Sequence, residues 1–588
     1  MDLKQRFAEE LRYLRELGRE FAEDNPQLAQ FLGDQAGDPD VERLLEGFAF
    51  LTAKLGLKID DDLPELTHPL LQMLWPNYLR PLPSATIIRF TPLPNAISQR
   101  KVIPKGTRLF ANPVDGISCE FRTCTDVNLY PLALHAVSDA HSREASTLRI
   151  DLNVLTQQPL DNLECDQLDF HLGGDNATAL TLYLWLAHYL KSITLYINNT
   201  PYRLNPDDLG FPGFTPNEAL LPYPRNVFDG YRILQEYFVF PQRFHFFSLT
   251  RLAKVWPAVT TGQIRFEFQF SRPMPVNTHL RTSDLHLFCA PAVNLFRHDA
   301  EPIMLDGRSQ ERRISTTGNR QDAYEIFSVD HVAGWDAADK ERKGDPLRRF
   351  TPFESFQHEI EHARGRTALY FRTHIEESHG REGLRHRIAF VRGDESLYIG
   401  ENEAASIELT CTNRDLPQRL GVGDVSRSTE ATPSFATYTN LIAPTRSYRP
   451  VLDSSLHWTL ISNLSLNYLS LLSAEPLKAV IRAYDFAALH DLQQARATRK
   501  RLNGIQDAVT TPIDWLMKGL PVRGVQTRLK LDQEAFLCEG ELYLFASVLS
   551  HFFALYASIN SFHRLEVINT TNNERYEWPL LTGRQPVI

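Results

Sequence analysis

The stretch Asp38–Pro83, DPDVERLLEGFAFLTAKLGLKIDDDLPELTHPLLQMLWPNYLRPLP, decides how the chain begins to fold. Asp38 is placed as a helix N-cap, and Pro39 fits the first helical position, where no amide hydrogen is needed. Apolar residues then recur at three- and four-residue spacing, which predicts a helix with one continuous apolar face. These residues are Val41, Leu44, Leu45, Phe48, Leu51 and Leu55. A second helix is predicted for Leu66–Leu74, so we expect a packed helical hairpin.

Another apolar pattern lies at the start of the chain, on a segment otherwise rich in Lys, Arg and Glu. Its members, at near-heptad spacing, are Leu3, Phe7, Leu11, Leu14, Leu17 and Phe21. Three heptads are too few to define a coiled coil, and two interpretations stay open. These six residues, which we call the N-terminal seam, either pack on the helix Val41–Leu55 of the same chain or dock on a partner. In the second case Leu3, Phe7, Leu11, Leu14 and Phe21 are candidate partner-interface residues.

The rest of the chain alternates between strand and helix patterns, and its 588 residues leave room for several domains. We predict a multidomain α+β fold with an N-terminal helical segment, β-rich and mixed domains, and a C-terminal α+β domain. The predicted divisions are residues 1–83, 84–290, 291–450 and 451–588. A polar stretch from Asp306 to Phe350 has few aliphatic residues and is interpreted as loops that join two lobes.

Composition argues against some classes of function and against some locations. The formal net charge of -10 gives no basic excess, so we expect no nucleic-acid binding. The six cysteines are scattered and form no CxxC pair, which indicates a reducing cytoplasm. The first residues, MDLKQRFAEELRYLRE, are too charged for a secretory signal.

One segment has about the length of a bilayer-spanning helix. Leu542–Phe562 contains no Asp, Glu, Lys or Arg. It does contain several serines, a histidine and an asparagine, which favour a helix buried by protein over a membrane span. We therefore expect no direct membrane span.

Seven aromatic residues lie close together between Tyr231 and Phe247. An aromatic cluster can stack nucleobases, but the residues between these rings are mostly apolar or Gln and Glu. The pattern favours a core or subunit-interface cluster. Tyr231, Tyr237 and Phe238 are its candidate interface residues.

His358-Glu359-Ile360-Glu361-His362 satisfies the HExxH pattern of zinc hydrolases, in which two histidines bind the metal and the Glu activates water. A third ligand could come from the downstream residues His374, Glu376, Glu377 and His379. However, Arg364, Gly365 and Arg366 follow at once and leave little helix to hold the histidines. We therefore predict a solvated polar loop or short helix, no metal site, no cofactor and no enzymatic activity, with a zinc-dependent hydrolase as the alternative.

Five blocks of this sequence resemble one known family and occur in the same order. They are Asp38–Pro83; FPGFTPNEALLPYPRNVFDGYRILQEYFVFPQRFHFF from Phe211; APAVNLFRHDAEPI from Ala290; WTLISNLSLNYLSLL from Trp458; and YLFASVLSHFFALYASINSF from Tyr543. The family is TssF, also called VasA or ImpG, of the type VI secretion system baseplate. Agreement over such dispersed blocks is far more specific than one short motif.

The resemblance implies a structural, cytoplasmic wedge subunit in an obligate complex with TssG. It also implies association with TssE and TssK around the VgrG spike and the Hcp tube, with more than one copy per wedge. Such a subunit works through large interfaces that rearrange when the sheath contracts. A wedge protein of another contractile injection system is a further alternative.

Overall fold

A computed structural model of the chain provides the structure, which describes residues 1–588 except for a set of segments. The segments left out are 1–6, 9–10, 18–38, 61–63, 95, 224–230, 277, 307–308, 319, 337–346, 354–368, 378–382, 393–397, 399–402, 453, 465–472, 518–519, 558–560 and 584–588. The chain divides into two compact units. Unit 1 comprises Met1–Gln72 and Leu452–Ser465, and unit 2 comprises Met73–Val451 and Leu466–Ile588. The predicted division into four segments stays a prediction.

The helices follow the sequence signals closely and confirm most of the predicted ones. They are α1 Pro39–Asp60, α2 Pro64–Leu74, α3 Asn176–His188, α4 Arg232–Val239, α5 Ser454–Leu464, α6 Ala474–Ala483, α7 Phe486–His490, α8 Leu492–Asn503 and α9 Glu539–Tyr556. Local chemistry accounts for their ends. The Asp175 carboxylate caps α3 by accepting a hydrogen bond of 3.0 Å from the Thr178 amide. Pro241 directly follows Phe240 at the end of α4.

The predicted hairpin face of α1 is only partly correct. Ala49 is buried and Val41 and Leu45 are half-buried, whereas Leu44, Phe48 and Leu51 are exposed. The six apolar residues are spread over a wider arc of the helix surface than a single neighbouring element can bury. The side that carries Ala49 is therefore packed, and the side that carries Leu44 is not.

The strands alternate with these helices along unit 2 and confirm the α+β class. In the first half of the chain they are β1 Ala85–Pro92, β2 Lys101–Ile103, β3 Arg108–Val114, β4 Ile117–Thr123, β5 Val127–Leu129, β6 Leu132–His141, β7 Ser146–Val154, β8 Leu168–Leu172, β9 Leu190–Ile197, β10 Thr200–Leu204, β11 Leu209–Gly210, β12 Phe246–Leu249, β13 Gln263–Phe270, β14 Leu285–Leu287 and β15 Cys289–Val293. In the second half they are β16 Phe296–Asp299, β17 Ile303–Met304, β18 Arg312–Arg313, β19 Glu325–Asp336, β20 Leu347–Pro352, β21 Leu369–Glu377, β22 Leu384–Arg392, β23 Glu403–Thr412, β24 Ala436–Asn440, β25 Ile505–Met517, β26 Leu520–Leu531, β27 Phe562–Asn569, β28 Arg575–Glu577 and β29 Leu581–Thr582.

These strands form largely antiparallel sheets. Two five-stranded sheets have the orders β24-β1-β15-β4-β3 and β10-β9-β13-β7-β6, and a four-stranded sheet has the order β11-β12-β8-β14. The largest sheet has the order β16-β23-β19-β20-β21-β22-β18, with β17 also on β23. The C-terminal sheet has the order β25-β26-β27-β28, with β29 on β27, and β2 pairs with β5. Parallel pairing occurs between β20 and β21 and between β26 and β27.

The interpretation of Asp306–Phe350 as loops is wrong for much of its length. The stretch contains β18, β19 and the start of β20, and β19 lies inside the largest sheet. Ile326 and Val332 of β19 are buried in the core of that sheet. Register shifts between Ile326 and Ser328 and between Val329 and His331 break the two-residue alternation by which a strand is recognised. These irregularities hid the strand in the sequence.

Helix α9 is the core of the C-terminal region. All but three of its residues are buried, and it packs against α3, α4 and β27. This confirms the prediction of a protein-buried helix for the apolar segment. Within the part of the chain that the structure describes, no helix is long and apolar enough to cross a bilayer.

Candidate functional site

The exposed side of α1 is the clearest candidate for a binding surface. Leu44, Phe48 and Leu51 are 73%, 66% and 58% exposed. Residues at these spacings follow one another along one side of a helix, so the three side chains form a continuous stripe. Helices of a folded domain normally bury such residues, and an exposed row of them indicates an interaction surface. We call these three residues the α1 stripe.

The predicted N-terminal seam is only partly within the described residues. Leu3 and Phe21 lie outside them, whereas Phe7, Leu11 and Leu14 lie in helical segments and are half-buried. One of the two interpretations placed this seam on the helix Val41–Leu55 of the same chain. Because Leu44, Phe48 and Leu51 are exposed, the seam residues within the described part of the chain do not cover these three side chains. The role of the five seam residues in binding a partner stays a prediction.

The aromatic candidates Tyr231, Tyr237 and Phe238 lie in unit 2 on and beside α4. The Tyr231 ring stacks on Tyr484 with centroids 4.0 Å apart, and its hydroxyl accepts a hydrogen bond from Tyr556. Tyr237 is buried with its ring 5.7 Å from that of Phe545 in α9, and Phe238 is half-buried. Tyr231 and Tyr237 therefore contact α9 of their own chain. Their role at a partner interface, and that of Phe238, stays a prediction.

A buried charge cluster that was not predicted from the sequence lies within the same segment. Arg232 donates to the Glu236 carboxylate at 3.0 Å, and Arg243 forms an ion pair with the same carboxylate. All three side chains are almost completely buried. Burial and the neighbouring Arg232 lower the pKa of Arg243 to about 9, so its guanidinium stays charged at neutral pH. The spacing of Arg232 and Glu236, one helical turn apart in an aromatic run, was the available signal.

The cluster fixes the irregular segment that precedes α4. One arginine donates to the carbonyl of Phe214, and the other donates to the carbonyls of Gly213 and Glu218. The remaining oxygen of the Glu236 carboxylate accepts a hydrogen bond of 2.8 Å from the Leu220 amide. The charges are thus used to hold a loop by its backbone. This arrangement is that of a structural network.

Three histidines lie together in the four-stranded sheet region. His171 of β8 is paired in register with His286 of β14, and His245 directly precedes β12. Burial lowers the pKa of His245 and of His286 to about 4, and that of His171 well below its usual range. The neighbouring histidines lower the pKa of His171 further. All three rings are therefore neutral at pH 7.

We expect the free energy of unfolding to fall between about pH 6.5 and pH 4. In the unfolded chain these histidines regain an ordinary pKa of about 6.5 and bind protons that the folded chain does not bind in this range. His245 and His286 should each cost roughly 1 to 2 kcal/mol of stability at pH 5, and His171 adds a loss in the same direction. Urea unfolding at pH 7.5 and pH 5.0 measures the loss. A His245→Gln variant should lose less stability on acidification than the wild type, whereas a variant of the exposed His135, His135→Gln, should lose as much. Equal losses in all three proteins would contradict this assignment.

The HExxH residues His358, Glu359 and His362 lie outside the described part of the chain, as does His379. Of the proposed third ligands, Glu376 forms an ion pair of 2.9 Å with Arg387, and His374 is half-buried on β21. Among the described residues, no group of three or more His, Cys, Asp or Glu side chains is arranged to hold a metal ion. The zinc alternative therefore gains no support from the described structure.

Comparison with known proteins gives consistent matches over the whole chain. The family model described as "Type VI secretion system, TssF" matches residues 1–585. The type VI secretion system component TssF1 of Pseudomonas aeruginosa is 30% identical, over 99% of this chain and 98% of that protein. A chain in the cryo-electron microscopy structure of a TssK-TssF-TssG baseplate subcomplex matches with a TM-score of 0.77 and 28% identity, over 93% of this chain and 99% of that one. A chain in a structure of the type VI secretion baseplate complex matches with a TM-score of 0.65 and 26% identity, over the full length of both.

Proposed function

Because the chain belongs to the TssF family and is a structural component of the type VI secretion baseplate, we propose that it acts by assembly with TssG and TssK subunits and catalyses no reaction. Family membership also decides between this system and the wedge of another contractile injection machine. TssG and TssK accompany TssF in the subcomplex that contains a matching chain. The descriptions of these relatives name a secretion baseplate and give no support to the zinc hydrolase alternative.

The exposed α1 stripe is the observation that carries the assembly proposal. Stable subunit interfaces have an apolar centre, and large side chains such as Phe and Leu contribute most when they become fully buried. Leu44, Phe48 and Leu51 are available for such burial. We assign them to the contact with TssG, because an obligate interface is more apolar than a transient one.

The remaining partners and the location follow from the same assignment. We propose that TssE, the VgrG spike and the Hcp tube join the complex, and that each wedge holds more than one copy of this chain. We also propose a cytoplasmic location. The six cysteines are free thiols in the structure, which is compatible with a reducing compartment.

A variant with Leu44→Asp and Phe48→Asp should fold but lose the complex with TssG. Each carboxylate would have to be desolvated at the centre of the interface, so we expect the dissociation constant to rise at least about 100-fold. The measurement is the solution mass of the chain co-produced with the TssG homologue of the same organism, by size-exclusion chromatography with light scattering.

The matched control is Leu492→Asp, because Leu492 is 79% exposed and lies on α8 in the other unit. This variant should form the complex as the wild type does. Separate, well-behaved monomers of the wild-type proteins would contradict the assembly proposal itself. A wild-type complex that survives the double substitution would contradict the assignment of the α1 stripe.

A further inference from the structure

An open cavity of about 340 Å³ lies in unit 2, where strands of the largest sheet come close to β4. Its walls come from distant parts of the chain, and the residues that matter to its chemistry are Arg80, Arg122, Tyr223, Arg297, Asp330 and Thr410. The volume is at the lower end of the range for small-molecule pockets, and the lining is mainly polar. Three guanidinium groups therefore line one cavity of ligand size.

The arginines are poorly compensated by the rest of the described chain. Among the described residues, Arg122 and Arg297 have neither a side-chain hydrogen bond nor an ion pair. Arg80 donates one hydrogen bond of 3.0 Å, to Asn77, and lies 5.1 Å from the ring centroid of Phe327. Burial lowers the pKa of Arg122, and the nearby positive charge of Arg297 lowers it further. The negative charge of Asp330 raises the pKa of Arg122 and of Arg80, but this single carboxylate balances only one of the three guanidinium charges of the lining.

The acidic side chains of the cavity balance only part of its positive charge. The two carboxylate oxygens of Asp330 each accept a short hydrogen bond of 2.6 Å, from the hydroxyls of Ser328 and Thr410. These bonds hold the carboxylate on β19 against the neighbouring strand β23. The other acid of the lining, Glu408, is exposed. The guanidinium N–H groups of Arg122 and Arg297 therefore stay available to a ligand.

We propose that this cavity binds a small oxyanion with more than one negative charge, such as a diphosphate or a tricarboxylate. A single carboxylate occupies one guanidinium fork and would leave most of the cavity empty. A ligand with two or three anionic groups engages several arginines at once and fits the volume. None of the residues that line the cavity belongs to the α1 stripe, and the proposal does not rest on the assembly proposal.

Isothermal titration of the full-length chain with pyrophosphate and with citrate, at low ionic strength, tests the proposal. We expect at least one of the two anions to bind, and Arg122→Gln to weaken its binding at least about tenfold. Arg297→Gln is the second variant, because Arg297 is exposed and its replacement does not disturb the core. The matched control is Arg203→Gln, which removes one exposed positive charge from β10, outside the cavity lining.

The outcomes distinguish a phosphate ligand from a carboxylate ligand, and they also show whether the cavity binds an anion at all. Tighter binding of pyrophosphate assigns a phosphate ligand, and tighter binding of citrate assigns a carboxylate ligand. Absence of binding by both anions would overturn the proposal. Equal weakening in Arg203→Gln and in the cavity variants would also overturn it, because the binding would then depend on net charge alone.

Discussion

Replacing Glu236 by Ala should destabilise unit 2 by about 3 to 5 kcal/mol. The substitution leaves Arg232 and Arg243 as buried charges without their carboxylate, and it removes the acceptor for the Leu220 amide. The cost comes from the uncompensated charges more than from a lost attraction, because neither guanidinium can reach water. Urea unfolding followed by tryptophan fluorescence, at pH 7.5, measures the change in the free energy of unfolding.

An exposed ion pair provides the control for this experiment. Glu475 is 84% exposed and pairs with Lys478 one turn later on α6. Glu475→Ala should change the stability by less than about 0.5 kcal/mol, because water screens this pair. If Glu236→Ala had an effect as small as that of the control, water would have to reach the arginines, and the cluster could not be what holds the loop before α4.

The second large effect is expected at Gly540, in the first turn of α9. A β-carbon at this position would lie 2.1 Å from the carbonyl oxygen of Leu180 in α3. Both groups belong to helix backbones, so neither can move aside as a flexible side chain would. Gly540→Ala should therefore force the two helices apart and destabilise the protein by about 3 kcal/mol or more. A fall in the thermal unfolding temperature and a loss of soluble yield are the expected observations.

The same substitution at Gly47 should have the opposite effect. Gly47 lies within α1, and no atom lies within 4 Å of a β-carbon built there. Alanine is the better helix former, so Gly47→Ala should stabilise α1 by up to about 1 kcal/mol. A tolerated Gly540→Ala would show that α3 and α9 are packed less closely than the structure indicates.

The sequence predicted local elements well because their signals are local. The two helices of the opening stretch carry their own start and period signals. The strand Glu325–Asp336 was not predicted, because its register shifts interrupt the two-residue alternation of buried and exposed side chains. The sequence could not predict which side of α1 is packed. Apolar residues extend around more of the helix surface than the rest of the protein covers.

The candidate sites depended on contacts between distant residues, and this limits what a sequence can predict. The family blocks pointed to an assembly role. They did not show that the ring of Tyr231 packs on Tyr484 of its own chain, so Tyr231 could not be distinguished from residues that contact a partner. The arginine cavity combines residues that are hundreds of positions apart, and no short motif marks it. The charge cluster had a partial signal in Arg232 and Glu236, but its second arginine became apparent only in the structure.

Strand β1 pairs with β24, which is synthesised much later, and this delay affects how the protein folds on the ribosome. Thr91 of β1 is paired with Thr437 of β24, 346 residues later. At the usual rate of translation this partner strand emerges about 20 to 70 s after β1. During that time one edge of β1 is open to pairing with other chains, the situation in which nascent sheets aggregate. We therefore expect productive folding in the cell to depend on chaperones that hold the nascent chain until residue 440 has left the ribosome.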